Sequence, residues 1–107
     1  MALEVKEIKS YSYLAYASRS STNDIKAMIM VNAEVEFLGY INFMTNGRPL
    51  PKSVKQNGLY FFYYHFSDLP VVVDMLRNEN PIFLIYVEDN SNNCRISTTL
   101  EAVGEGE

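Results

Sequence analysis

Gly58-Leu59-Tyr60-Phe61-Phe62-Tyr63-Tyr64-His65-Phe66 reads as a strand, and Ser67-Asp68-Leu69-Pro70-Val71-Val72-Val73-Asp74-Met75-Leu76-Arg77-Asn78-Glu79 as the helix that follows it. Pro81 forces an exit into a second strand, Ile82-Phe83-Leu84-Ile85-Tyr86-Val87. A polar turn, Glu88 to Asn93, leads to a third, Cys94 to Thr99. Strand, helix and hairpin in that order set the fold class as α+β.

The helix has a mechanism at each end. Ser67 is placed to accept an orphan backbone N–H as N-cap, and Asp68 puts negative charge at the positive end of the dipole. Pro70 falls in the first turn, where no intrahelical donor is lost. Leu69, Val72, Val73 and Leu76 recur at i, i+3, i+4 and i+7, which makes one apolar stripe. Three consecutive valines are poor helix formers, so packing must hold the segment.

Working outward, Ile8 to Ala17 is a strand candidate with mixed faces. Residues Ser18 to Asp24 form a polar loop. Ile25 to Val31 alternates cleanly, with Ile25, Ala27, Ile29 and Val31 expected on the core side and Lys26, Met28 and Met30 opposite. Val35 to Met44 is the next strand, with Val35, Phe37, Ile41 and Phe43 on one face and Glu36, Leu38, Tyr40 and Asn42 on the other. The gap between these two strands is too short for a crossover helix, so they form an antiparallel hairpin. Gly39 inside a strand signals a bulge or the close approach of another segment. Asn46-Gly47-Arg48-Pro49-Leu50-Pro51 is a loop, because Asn-Gly supplies positive φ and the prolines stop a strand.

The expected architecture is a single, mainly antiparallel sheet of about six strands, in the order β-β-β-β-α-β-β. It is curled or half-barrel, with one helix on one face. The chain of 107 residues makes one domain, 1–107, with 101–107 as a mobile acidic tail.

Composition narrows the function classes. Nine basic residues are scattered singly among 13 acidic ones, for a net charge of −4, so neither nucleic acid nor an anionic membrane surface is an expected partner. The first residues lack the apolar core of a signal peptide, and no apolar run approaches the ~18 residues of a membrane span. A cytoplasmic location is the expectation.

Chemistry-bearing residues are sparse. The chain has one histidine, His65, and one cysteine, Cys94. One of each does not make a zinc site, and no cofactor or metal is called for. No nucleophile elbow marks a serine. His65 at the end of an aromatic strand reads as a half-buried packing residue, and Cys94 beside a turn as a small apolar one. Glu34 with Glu36, and Glu4 with Lys6, read as solvated pairs. No catalytic residue is assigned.

The aromatic residues are the unusual feature: eight Tyr and six Phe, without Trp. On the strand from Leu59, Phe61 and Tyr63 share one face while Tyr60, Phe62, Tyr64 and Phe66 share the other. Apolarity on both sides demands burial on both sides. One helix covers one face. The second needs another sheet layer or a partner molecule.

Asn46 to Pro51, Leu76-Arg77-Asn78-Glu79-Asn80-Pro81 and the final Ile96 to Glu107 resemble a group of small bacterial proteins of unknown function. That group carries a G-x-P-L-P loop, an L-R-N-E-x-P helix exit and an E-P-V-G-E-type terminus, in which Ala102 here replaces the proline. The resemblance implies a bacterial, cytoplasmic protein without assigned activity, and it transfers no catalytic residue.

These readings converge on a non-enzymatic protein that self-associates, as a twofold dimer, or binds another protein. An edge strand (Ile8–Ala17 or Cys94–Thr99) or an aromatic face would serve. Tyr13, Tyr60, Phe62, Tyr64 and His65 are the candidate interface or groove residues. The alternative is a small-molecule binder or enzyme with a tyrosine-lined pocket between helix and sheet, including His65.

Overall fold

Two sheets, rather than one, enclose the core. The computed structural model describes residues 3–17 and 24–98. Most of the polar loop after Ala17, residue Thr99 and the acidic tail lie outside the described residues. Eight strands and one helix follow in order: β1 (Leu3–Glu7), β2 (Ser10–Ala15), β3 (Ile25–Asn32), β4 (Phe37–Met44), β5 (Val54–Gln56), β6 (Leu59–His65), α1 (Leu69–Asn78), β7 (Ile82–Val87) and β8 (Arg95–Thr98). The five-stranded sheet runs β2-β3-β4-β6-β5 and the three-stranded sheet β1-β7-β8.

The fold class is α+β, as the sequence indicates, but the single six-stranded sheet is replaced by this pair, and the sheets do not close into a barrel. The segment expected as one strand from Ile8 is divided. Ile8 is buried and donates its N–H to the Ile82 carbonyl at 2.9 Å, while Lys9 donates to Asn32 at 2.7 Å. The chain therefore leaves the small sheet at Ile8 and enters the large one at Ser10. The β3–β4 and β7–β8 pairs are antiparallel, as their short connections require. The remaining pairs are antiparallel too, except β4–β6, which is parallel and uses β5 within its return crossover.

Gly39 governs that parallel pair. Its φ is +150°, and a Cβ built there would overlap the Tyr60 backbone. The register slips beside it, between Val31 and Asn32. The bulge sends Leu38 into the core and Phe37 to the opposite face, which reverses the expected sides of these two residues. Val35 is 95% exposed in the connecting loop rather than in a strand.

Helix α1 buries Val72 and Leu76, with Leu69 and Val73 packed alongside. Ser67 is not its N-cap. Phe66–Asp68 form a 3-10 turn, Asp68 takes the cap position, and the Ser67 N–H donates to Asn46 Oδ1 at 2.9 Å. The Asn46-Gly47 loop thus supplies the acceptor that the helix start lacks.

Replacing Gly39 with Ala is expected to cost about 3 kcal/mol or more, since a methyl meets backbone that cannot rotate away. Chemical denaturation measures this. An unchanged midpoint would show that β4 and β6 can separate without loss.

Candidate functional site

The alternation on β3, β4 and β6 divides the large sheet into two unlike faces. Ala27, Ile29, Val31, Ile41, Phe43, Tyr60 and Phe62 point inward and join Val72, Leu76, Ile82, Leu84 and Ile96 in one core. Both the helix and the small sheet therefore lie on this inner side. Met28, Met30, Tyr40, Phe61 and Tyr63 alternate with them on the outer face. These five are half-exposed, and none belongs to the core cluster or packs against it.

The outer rings form a row. Phe37 meets Tyr40 edge-on at 5.2 Å between centroids, and Tyr40 stacks on Phe61 at 5.5 Å. Such spacings are those of mutually stabilising aromatic pairs. Asn42 lies between Met28 of β3 and Tyr63 of β6 in register. The middle of the face carries no charged side chain.

The five residues expected at an interface are not gathered together. Tyr60 and Phe62 are 1% exposed and point into the core, so neither offers a ring to a partner. The inner face is covered by the second sheet layer, which removes the reason for placing a partner there. Tyr13 is 54% exposed on the edge strand β2, stacked on Tyr11 at 6.1 Å. Tyr64 is half-buried, its ring stacked on Phe43 at 5.8 Å, and burial pushes its hydroxyl pKa upward. His65 Nε2 donates to the Arg48 carbonyl at 2.7 Å, which ties β6 to the Asn46–Pro51 loop. The residues that form the outer face were legible as a set on β6, through Phe61 and Tyr63. What the alternation does not reveal is which of its two faces meets the second layer.

A tyrosine-lined cleft of about 830 Å³ does exist, but between the ends of the two sheets rather than between helix and sheet. Tyr63, Tyr64, Tyr86 and Cys94 line it, with loops 50–54 and 88–92 at its mouth, and His65 is not part of it. Lys52, Glu88, Asp89 and Asn92 line it too, and two polar pairs beside it are bonded to each other. The Ser53 N–H donates to Ser91 Oγ at 2.7 Å, and the Val87 N–H to Cys94 Sγ at 3.4 Å. Among the described residues no cluster of His, Cys, Asp and Glu could hold a metal ion, and no helix is long and apolar enough to cross a membrane.

A part-buried polar contact joins the sheets. The Tyr60 hydroxyl donates to Glu4 Oε1, which also accepts Lys55 Nζ at 2.8 Å. Glu4 is thus no solvated bystander of Lys6. The Lys55 contact, then the Tyr60 hydroxyl, hold the Glu4 carboxyl below its ordinary pKa. Desolvation first, and the carboxylate second, push the Tyr60 hydroxyl well above its ordinary value.

No protein-family model, curated protein or solved structure matches the chain.

The bridge makes stability pH-dependent at both ends. A lowered Glu4 pKa means that the unfolded chain binds its proton first, so this contribution is complete above the ordinary glutamate value of 4.5 and falls away below it. A raised Tyr60 pKa means that the unfolded chain loses its proton first, so that contribution is complete below 10.0 and declines as pH rises through it. Tyr60→Phe is expected to lose about 1 kcal/mol at pH 7 and to flatten the alkaline limb. Thermal melts from pH 3 to 11 check both, and an unaltered alkaline limb would exclude Tyr60 as its source.

Proposed function

We propose that this chain is a non-enzymatic, self-associating module, and that it pairs with a second copy through the outer face of β3, β4 and β6. The observation that carries the reading is the row Phe37–Tyr40–Phe61 with Met28, Met30 and Tyr63. It is a largely apolar surface, uncharged at its middle, in a protein whose helix and second sheet are already committed to the other side. Isolated exposed rings need no explanation, but a contiguous face of them does. Aromatic and Met side chains are also the types enriched where proteins meet.

The three strands, about 4.8 Å apart and seven to eight residues long at about 3.3 Å each, give a face roughly 14 by 26 Å, small beside the ~800 Å² per partner of a standard interface. Charge supports the reading. Two copies of net charge −4 can meet at an uncharged centre without setting carboxylates against one another.

The cleft between the sheet ends is the weaker candidate. A ligand site needs a few polar groups free to converge on its occupant. Here Ser53, Ser91 and Cys94 are engaged with their neighbours.

Light scattering and sedimentation across a wide concentration range test the proposal. The wild type is expected to be a dimer. Phe61→Asp is expected to weaken association at least about a hundredfold, as loss of a central aromatic does, while its half-exposed position leaves folding intact. A wild type that stays monomeric to millimolar concentration would end the self-association reading.

A further inference from the structure

β1 is an edge strand of the small sheet, bonded to β7 on one side only. The Ile8 N–H donates to the Ile82 carbonyl, and Ile8 continues the register in which Lys6 faces Leu84 and Glu4 faces Tyr86. The even residues therefore give their main-chain groups to β7, while Leu3, Val5 and Glu7 aim theirs outward. Among the described residues nothing bonds to those outward groups. The side chains are open as well: Leu3 is 62% exposed and Val5 51%. An edge of this kind can template another strand, and native proteins usually shield it.

Two charges on β1 are incompletely used. Glu4 Oε1 takes both the Tyr60 hydroxyl and Lys55, while its Oε2 has no partner among the described residues. Lys6, half-buried on the same face as Glu4, forms no ion pair among the described residues.

We infer that β1 pairs antiparallel with β1 of a second copy, about a twofold axis at Val5, and so joins two small sheets into one. The order Leu3-Glu4-Val5-Lys6-Glu7 selects an identical strand. Read antiparallel to itself about Val5, it sets Glu4 against Lys6 of the other copy, and Lys6 against Glu4. Centring the pair on Glu4 or on Lys6 would set like charges face to face. A lone lysine on an edge deters pairing, but the glutamate two residues before it turns that deterrent into a match. The ladder accommodates the same register. Val5 meets Val5 as a hydrogen-bonded pair and Leu3 meets Glu7 on either side, for about six main-chain bonds. Glu7 adds no repulsion, since Lys9 pairs it at 3.2 Å. β2, the other long edge, carries no charge from Ser10 to Ala15 and makes no comparable choice of partner.

This contact goes beyond the one proposed above. The small sheet lies on the inner side of the large one, so the β1 edge and the outer face of β3, β4 and β6 are different surfaces. Five residues of edge make the weaker contact, one that joins dimers as concentration rises.

Oxidative cross-linking tests the register, in a Cys94→Ser background that removes the one native thiol. On the axis the two Val5 Cα atoms lie about 5.5 Å apart, within disulfide range, whereas two Leu3 Cα atoms lie about 13 Å from each other on either side of it. Val5→Cys is therefore expected to form a disulfide dimer at least ten times faster than Leu3→Cys. A mixture of Leu3→Cys with Glu7→Cys is expected to cross-link between the two variants, which keeps the test open should Val5→Cys fail to fold. Adding Lys6→Glu is expected to slow the Val5→Cys reaction about tenfold, because two attractive cross-strand pairs become repulsive, and Lys6→Arg to leave it unchanged. Phe61→Asp, which removes the outer face as an interface, is expected to leave it unchanged too, so the two contacts succeed or fail separately. Cross-linking no faster at Val5 than at Leu3, indifferent to Lys6→Glu, or lost with Phe61→Asp would overturn the β1 pairing.

Discussion

The parallel contact between β4 and β6 is the constraint on which the rest of the structure depends. Gly39 lets the two backbones approach where any side chain would intrude. That approach sets Gly39 against Tyr60, Ile41 against Phe62 and Phe43 against Tyr64. Because a strand has period two, this one register decides all the faces at once. Ile41, Phe43, Tyr60 and Phe62 are sent to the core together. Tyr40, Asn42, Phe61 and Tyr63 are sent away from it together. A slip of one residue would bury Asn42 among hydrocarbons and expose Phe43.

The second sheet turns this register into a closed core. Its attachment uses few contacts. Ile8 fills the passage between sheets and hydrogen-bonds to Ile82, and Glu4 receives both the Tyr60 hydroxyl and Lys55. The tyrosine ring would be buried without this bridge, but its hydroxyl would then lack an acceptor. The cost of an unpaired buried hydroxyl is comparable to a hydrogen bond lost outright. Glu4 of β1 is therefore matched to a phenol that needs it. Leu3 and Val5, on the other side of β1, stay exposed.

Much of the fold could be read from local chemistry. The Leu69–Leu76 stripe, the hairpin of β3 with β4 and the hairpin of β7 with β8 all follow from spacing and turn residues. Other features escaped for identifiable reasons. In β1 the alternation Leu3-Glu4-Val5-Lys6 is present, but its polar members face the core side and its apolar ones face out, the reverse of the usual pattern. β5 has only three residues, too short for a period to show. Ser67 has the chemistry of an N-cap, yet Asn46, distant in sequence, supplies the acceptor instead. The same limit applies to the candidate site. Tyr60, Phe62, Phe61 and Tyr63 are equally aromatic, and only the tertiary position of the small sheet separates those that build the core from those that face outward. Asn42 carried no signal of its own, since one asparagine in a strand is unremarkable until its neighbours are known to be buried.

The distribution of polar satisfaction separates the two candidate surfaces. In the cleft between the sheet ends, Ser53, Ser91 and Cys94 are already bonded within the subunit, so a ligand using them would have to displace existing contacts. On the outer face the opposite holds. Its rings and thioethers are incompletely buried. A surface whose apolar area is unspent gains from association, and loses the water over it and the freedom of its side chains.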